Sequence, residues 1–303
     1  MFEDIENLYD DILNTTKNCD ECLKIFEGIK GSTICIGVGG SKVVAKFAEK
    51  ILAKKNKLIS NTMEPYSFNH FDYQLYENIF ICSHSGKNYG VKACLDNNLK
   101  KYLLTTRKSN IKDEVIINYT MPNRKSFISI SDTLIPMAIM LKYYLGDKFN
   151  KTIDKIFASI DKNLTLSNES TINIYTGFDS ETSSFFLEST LIESGLNAPI
   201  VNYKYDYCHG RSTINKAHQN EAIILGSHKS DLDKTLVHIL KKSMKEIVVL
   251  KKISKDDIIN DFYFTLSSIY LVANLAKNKK IDLKNIDYDH DCVKELYYFK
   301  GSM

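Results

Sequence analysis

Two short segments combine glycine with small hydroxyl side chains in a pattern that suits an anion. The first is Gly37-Val38-Gly39-Gly40-Ser41 and the second is Ser83-His84-Ser85-Gly86-Lys87-Asn88. Glycine lets backbone N–H groups approach a ligand closely, hydroxyls donate further hydrogen bonds, and a helix opening just after such a loop adds partial positive charge. A phosphate group fits that description, with Gly39, Ser41, Ser83, His84, Ser85 and Asn88 as its candidate contacts. Either loop alone is better explained as a tight turn followed by a helix cap. Two of them at adjacent sheet positions favour binding. The dinucleotide pattern G-x-G-x-x-G fails, because Lys42 stands where its third glycine belongs. Gly86-Lys87 is no nucleotide P-loop, since Ile81 replaces the first glycine of that motif and Asn88 the hydroxyl after its lysine.

Such loops need strands to deliver them and helices to follow. Apolar β-branched runs alternate here with segments of helical period, the pattern of parallel sheets covered by helices. In the first half the spacing predicts strands at Thr33 to Ile36, Ile79 to Cys82, Tyr102 to Thr105 and Val115 to Ile117. One opening helix is predicted over Phe2 to Ile29, a helix over Lys42 to Leu52, and a long one over Ser126 to Leu145, where Pro136 demands a kink or a later start. After Gly146-Asp147-Lys148 a connecting helix, about Thr152 to Leu164, leads into strands at Ile172 to Tyr175, Pro199 to Tyr203, Ala222 to Leu225 and Ile247 to Leu250. Thr33-Ile34-Cys35-Ile36 matches Thr171-Ile172-Asn173-Ile174, and Ile81-Cys82-Ser83-His84 matches Leu225-Gly226-Ser227-His228, so the second half reads as a repeat of the first. The expected architecture is α/β, with two doubly wound, flavodoxin-like parallel-sheet domains in tandem, residues 1–148 and 149–303. Only the first copy keeps the compact Ser/Gly loop, because Ser227-His228 runs on into Lys229-Ser230.

At these loops the chain resembles the sugar isomerase (SIS) domain family in its tandem form, as in the isomerase half of glucosamine-6-phosphate synthase and in stand-alone fructosamine-6-phosphate deglycases. Family first loops read G-x-G-[ST]-S and second loops S-x-S-G-x-T; Asn88 departs from the threonine. The resemblance implies that the ligand is a sugar phosphate. It also implies a catalytic glutamate at a helix end, followed sixteen residues later by a histidine in His-Gly-Pro. Glu193 and His209-Gly210-Arg211 keep that interval, with Arg211 in place of proline. A lysine seven residues after an aspartate near the C-terminus corresponds to Lys294 after Asp287, and a serine element before the last helix of the first half to Ser129 or Ser131. By resemblance, His209 opens the sugar ring, Glu193 carries a proton between C1 and C2, and Lys294 neutralises the developing oxyanion. Glu188, near Glu193 on the same helix, is a further candidate for substrate contact. A homodimer is implied, with His209 reaching the site of the neighbouring subunit. The resulting expectation is an isomerase or deglycase acting on an amino-substituted ketose 6-phosphate, with no cofactor and no metal. The alternative is a phosphosugar sensor without turnover.

The rest of the sequence narrows the class. A 44% apolar and 25% charged composition over 303 residues can bury a core unaided, and a net charge of +3 gives no global attraction to nucleic acid or membrane. No apolar run approaches a membrane span and the N-terminus is acidic, so a cytoplasmic protein is expected. Seven cysteines, an odd number lying mostly in apolar segments, read as reduced thiols, and Cys19-Asp20-Glu21-Cys22 lacks the second pair that a metal site needs. With Met1 leading directly into a helix and no N-terminal cysteine, no glutaminase module is expected.

Overall fold

A computed structural model describes residues 2–86, 91, 94–95, 97–106, 114–120, 128, 130–213, 220–227, 230–292 and 295. Its contacts sort into two compact units. One comprises Glu6–Lys125, Ser129–Asn150 and Asp287–Met303; the other comprises Met1–Ile5, Ser126–Ile128 and Lys151–Ile286.

The first unit is built on a parallel sheet of five strands, β1 (Thr33–Ile36), β2 (Ser60–Met63), β3 (Asn78–Cys82), β4 (Lys100–Thr105) and β5 (Glu114–Asn118), in the order β2-β1-β3-β4-β5. Every residue of β1 and β3 is buried, as expected for central strands covered on both faces. Ile34, Ile36, Ile79, Ile81 and Leu103 pack there with Phe68, Val91 and Cys94. The edge strand β2, Ser-Asn-Thr-Met, is polar and half-buried, and the apolar pattern did not predict it.

The expected opening helix is three pieces, α1 (Phe2–Glu6), α2 (Leu8–Lys17) and α3 (Asp20–Gly28). The break after α2 has a local cause. The Thr16 hydroxyl donates back to the Ile12 carbonyl at 2.8 Å, and the Asn18 N–H closes a tight turn onto the Thr15 carbonyl. Side chains that bond their own backbone compete with helix propagation. α4 (Gly40–Ile51) follows β1 and runs into a π-turn, Leu52–Asn56; α5 (Pro65–Asn69) follows β2, its first amides capped by the Glu64 carboxylate. The long closing helix, α6 (Ile130–Leu145), packs on α2 and α4 and is buried along nearly its whole length. It starts at Ile130 and carries Pro136 in its interior, so the Asp132 carbonyl, four residues before the proline, has no helical N–H to accept.

After α7 (Phe149–Ala158), the other unit carries four parallel strands, β6 (Ile172–Thr176), β7 (Ile200–Tyr203), β8 (Glu221–Ser227) and β9 (Glu246–Lys251), ordered β7-β6-β8-β9. α8 (Glu181–Glu193), α9 (Asp231–Ser243) and α10 (Asp257–Lys279) cover it, with the short α11 (His290–Cys292) near the end of the chain. Tyr175, Ala222 and Ile224 of the sheet pack with Leu236, Leu240 and Met244 under α9, and α10 lies buried against α8. No helix among the described residues is long and apolar enough to cross a membrane.

Candidate functional site

In a doubly wound sheet, ligands gather outside the carboxyl ends of the strands where the strand order reverses. In the five-stranded unit that point lies between β1 and β3, the two strands that carry the Gly/Ser loops. Gly37 closes the first loop so tightly that a Cβ there would sit 2.3 Å from the Ser41 carbonyl oxygen and 2.7 Å from the Lys42 nitrogen. Gly39 caps α4 at φ 55°, ψ −130°, a conformation open to glycine, and contributes no side-chain cap. The turn is held by Ser41 N–H to the Val38 carbonyl (3.1 Å) and Lys42 N–H to the Gly39 carbonyl (2.9 Å), which leaves the Gly39 and Gly40 amides outside its hydrogen bonds. Such uncommitted N–H groups at a helix start attract an anion.

The second loop is pinned to β4. Ser83 N–H donates to the Leu104 carbonyl, and the His84 carbonyl accepts from the hydroxyls of Thr105 and Thr106, each at 3.0 Å. Ser83, itself buried, accepts the Gly86 N–H at 3.1 Å, and Ser85 is half-buried. The first turn of α6 touches both loops: a Cβ on Gly40 would meet the Thr133 hydroxyl at 2.9 Å, and Asp132 Oδ1 lies 3.5 Å from His84 Nδ1. Ser131, the expected serine element, is buried in that same turn. Asp132 and Thr133 were missed by sequence reasoning; the available signal was two polar residues opening an otherwise apolar helix. Asn88 and Lys87 lie outside the described residues, as does Ser129.

In the four-stranded unit, Glu193 ends α8 and its carboxylate accepts the Ser189 hydroxyl at 2.9 Å. The residue reaches solvent, yet surrounding protein crowds the carboxyl, and this desolvation pushes its pKa above the usual range while the Ser189 bond pulls it down. His209 follows the single turn Asp206–Cys208, its N–H held by the Asp206 carbonyl at 3.0 Å and its ring 5.8 Å from that of Tyr205. The imidazole is exposed, and no hydrogen bond joins it to Glu193. Arg211 turns back onto the sheet edge, donating to the Val201 carbonyl (3.4 Å) and Asn202 Oδ1 (3.2 Å). Lys294 lies outside the described residues.

The point between β6 and β8 where this strand order reverses is filled by the protein's own carboxylates. Asp261 of α10 accepts the Ser183 and Thr182 amides at the start of α8, at 2.8 and 3.3 Å. Asp179, in the loop after β6, pairs with Lys252 at 2.7 Å, and Lys204 pairs with Asp233 at 3.1 Å beside the Gly226 carbonyl. Here lies a physical reason for the uneven repeat: the anion positions in this unit are already occupied. Gly226 at φ +70° makes room for Asp179, since a Cβ would meet its Oδ2 at 2.5 Å. Gly226→Ala is therefore expected to destabilise the protein by about 2–4 kcal/mol, combining left-handed strain with displacement of a buried ion pair. Denaturant midpoints check this, and a shift under 0.5 kcal/mol, about the size of a neutral surface change, refutes it.

All seven cysteines are free. Burial pushes the Cys22 thiol up to about 11 and that of Cys94 up to about 12, and it raises Cys19, Cys35 and Cys82 as well, so these sulfurs stay protonated and inert. Among the described residues no three His, Cys, Asp or Glu side chains are grouped so as to hold a metal ion.

Two parallel α/β sheets in tandem, each with helices on it, form the fold of the SIS-type phosphosugar isomerases, and this chain has that fold. No family model matches the sequence, and no curated protein matches it. Among solved structures it is similar to tagatose-6-phosphate ketose/aldose isomerase from Escherichia coli, with a TM-score of 0.77 and 13% identity, over 95% of this chain and 96% of that one. It is also similar to the C-terminal domain of glucosamine-fructose-6-phosphate aminotransferase from Francisella tularensis (TM-score 0.69, 14% identity, 94% of this chain and 97% of that one). Glucosamine-6-phosphate deaminase from Thermotoga maritima is a third (TM-score 0.61, 16% identity, 91% and 95%).

Proposed function

We propose that this protein is a sugar-phosphate isomerase or deglycase acting on an amino-substituted ketose 6-phosphate. The observation that carries the reading is the meeting of two Ser/Gly loops and the first turn of α6 at the β1/β3 reversal, where amides and hydroxyls are gathered and, among the described residues, no side chain caps the start of α4. Gly39, Ser41, Ser83, His84, Ser85, Asn88 and Ser131 hold the 6-phosphate. Shifting a hydrogen between C1 and C2 then needs an open chain, a base for the carbon-bound proton and a cation for the enediol oxygen. His209 opens the ring, Glu193 carries the proton, and Lys294 stabilises the oxyanion. The raised pKa of Glu193 supports this role, because a stronger base than an ordinary carboxylate removes a carbon-bound proton more readily. His209 serves the site of a second copy in a homodimer, a reading supported by its exposure and by the absence of a hydrogen bond to Glu193. Where C1 bears an amine, the same proton shift prepares hydrolysis, in which water adds at C1 and the amine leaves, giving a sugar 6-phosphate and a free amine.

Mass spectrometry after incubation with glucosamine, fructose and fructosamine 6-phosphates tests the reading. Interconversion, or amine release from fructosamine 6-phosphate, is the expected result. Saturable binding without any product would instead make the protein a phosphosugar sensor.

A further inference from the structure

On the reading that His209 opens the sugar ring, its imidazole has to be held in place, yet the residue is exposed. The turn that carries it is fixed on both sides. Before His209, the buried Tyr207 sets its ring edge-on to that of Tyr175 in β6, at 5.2 Å. After it, Gly210 takes φ +93° with nothing within 4 Å of where a Cβ would stand, so the glycine itself leaves the chain free to swing. Arg211 closes that side. Its guanidinium donates to the Val201 carbonyl at 3.4 Å and to Asn202 Oδ1 at 3.2 Å, on the edge of β7. Asn202 is buried, and its Nδ2 donates to Asn173 Oδ1 and to the Ile200 carbonyl, each at 3.2 Å. Both amide hydrogens are thereby used, and the remaining Oδ1 is an acceptor in a place where an unmet polar atom is costly. Arg211 meets it, which gives the guanidinium of an exposed residue a fixed seat. The main chain closes the same loop, with Ser212 N–H on the Tyr207 carbonyl at 3.1 Å and Thr213 N–H on the Gly210 carbonyl at 3.2 Å.

We infer that Arg211 is the positioning residue of His209, tying its turn to β7 through Asn202. The inference rests on the reading of His209 as the ring-opening group. The hydrogen bonds of the turn use the amides of His209, Ser212 and Thr213, and that of Arg211 is in none of them. A proline at 211, with φ fixed and no N–H to give, would therefore stiffen the same turn without a guanidinium.

Turnover of fructose 6-phosphate and fructosamine 6-phosphate, which must open from a ring, is compared with that of 5-deoxyfructose 6-phosphate, which lacks the hydroxyl that closes one. Arg211→Ala should lower kcat on the ring substrates by roughly tenfold or more, with KM and the open-chain rate each changed by less than about twofold. Arg211→Pro should recover most of the loss, a rescue that a guanidinium binding substrate would not allow. Hydrogen exchange at the His209, Ser212 and Thr213 amides should quicken in Arg211→Ala and slow again in Arg211→Pro. Asn202→Val should quicken it as Arg211→Ala does, and the double variant should add little. Exchange unchanged in Arg211→Ala, or a loss of turnover that Arg211→Pro fails to recover, overturns the inference. Slow turnover of the ring substrates by His209→Asn beside wild-type turnover by Arg211→Ala overturns it alone. A His209→Asn protein as fast as the wild type on those substrates removes the ring-opening reading and this inference with it, as does a wild type that turns over neither ring sugar.

Discussion

Replacing Glu193 with Gln is expected to lower kcat by about 10²–10⁴-fold while changing sugar-phosphate affinity by less than about threefold. The substitution keeps size and a hydrogen-bonding carbonyl for the Ser189 hydroxyl, but it removes the only form of this side chain that can take a proton from carbon. A pH profile makes the argument sharper. Desolvation raises the Glu193 pKa above the ordinary value of 4.5, and the active form is the carboxylate, so turnover should fall as pH drops through that raised value. The acid limb of kcat/KM should therefore lie above pH 4.5 and vanish in the Gln variant. The stability sign runs the other way. A raised carboxyl pKa favours the folded state at low pH, and that contribution is lost as pH rises through the folded value. Near neutrality Glu193→Gln should leave the melting temperature unchanged or slightly higher. Unchanged kcat across the pH range, measured on whichever substrate the mass spectrometric panel identifies, would remove Glu193 from the chemistry.

The parts of this fold that could be read from sequence are those where one physical term dominates. β1, β3, β6 and β8 are buried on both faces, so each consists mostly of apolar residues, many of them β-branched. β2 escaped notice because an edge strand needs only backbone pairing with β1, and Ser60–Met63 carries no apolar pattern. The opening helix broke at Thr16 and Asn18 for a reason of local hydrogen bonding that periodicity does not sense. At the site, the Gly/Ser loops were visible because tight backbone approach restricts residue type. Their partners were not visible: Asp132 and Thr133 reach the loops from the far end of the first half, and spacing holds no trace of that meeting. The same holds for Asp261, whose service to the start of α8 depends on how α10 packs. Arg211, in the position of the family's proline, donates to the edge of β7, a contact that the motif alone does not reveal.

Gly37→Ala is expected to weaken sugar-phosphate binding by roughly 10²-fold with the fold retained, because misplacing binding groups by about 1 Å carries a penalty of that order. The new Cβ would lie 2.3 Å from the Ser41 carbonyl oxygen and 2.7 Å from the Lys42 nitrogen. Both are backbone atoms, so no side-chain rotation relieves the clash, and the turn itself must open. Opening it moves the Gly39 and Gly40 amides together with Ser41, the groups assigned to the phosphate. Gly39→Ala provides the comparison, since a Cβ there meets nothing within 4 Å. At φ 55°, ψ −130° only glycine is relaxed, so the change is one of backbone strain, about 1–3 kcal/mol, which lowers stability more than it displaces the amides. Gly28→Ala, at the end of α3 with no atom within 4 Å of the new carbon, should alter neither property. Thermal melts and fructose 6-phosphate titrations on all three separate the effects. If Gly37→Ala keeps wild-type affinity, the turn after β1 is not a phosphate cradle, and the Gly37–Ser41 glycines serve only to start α4.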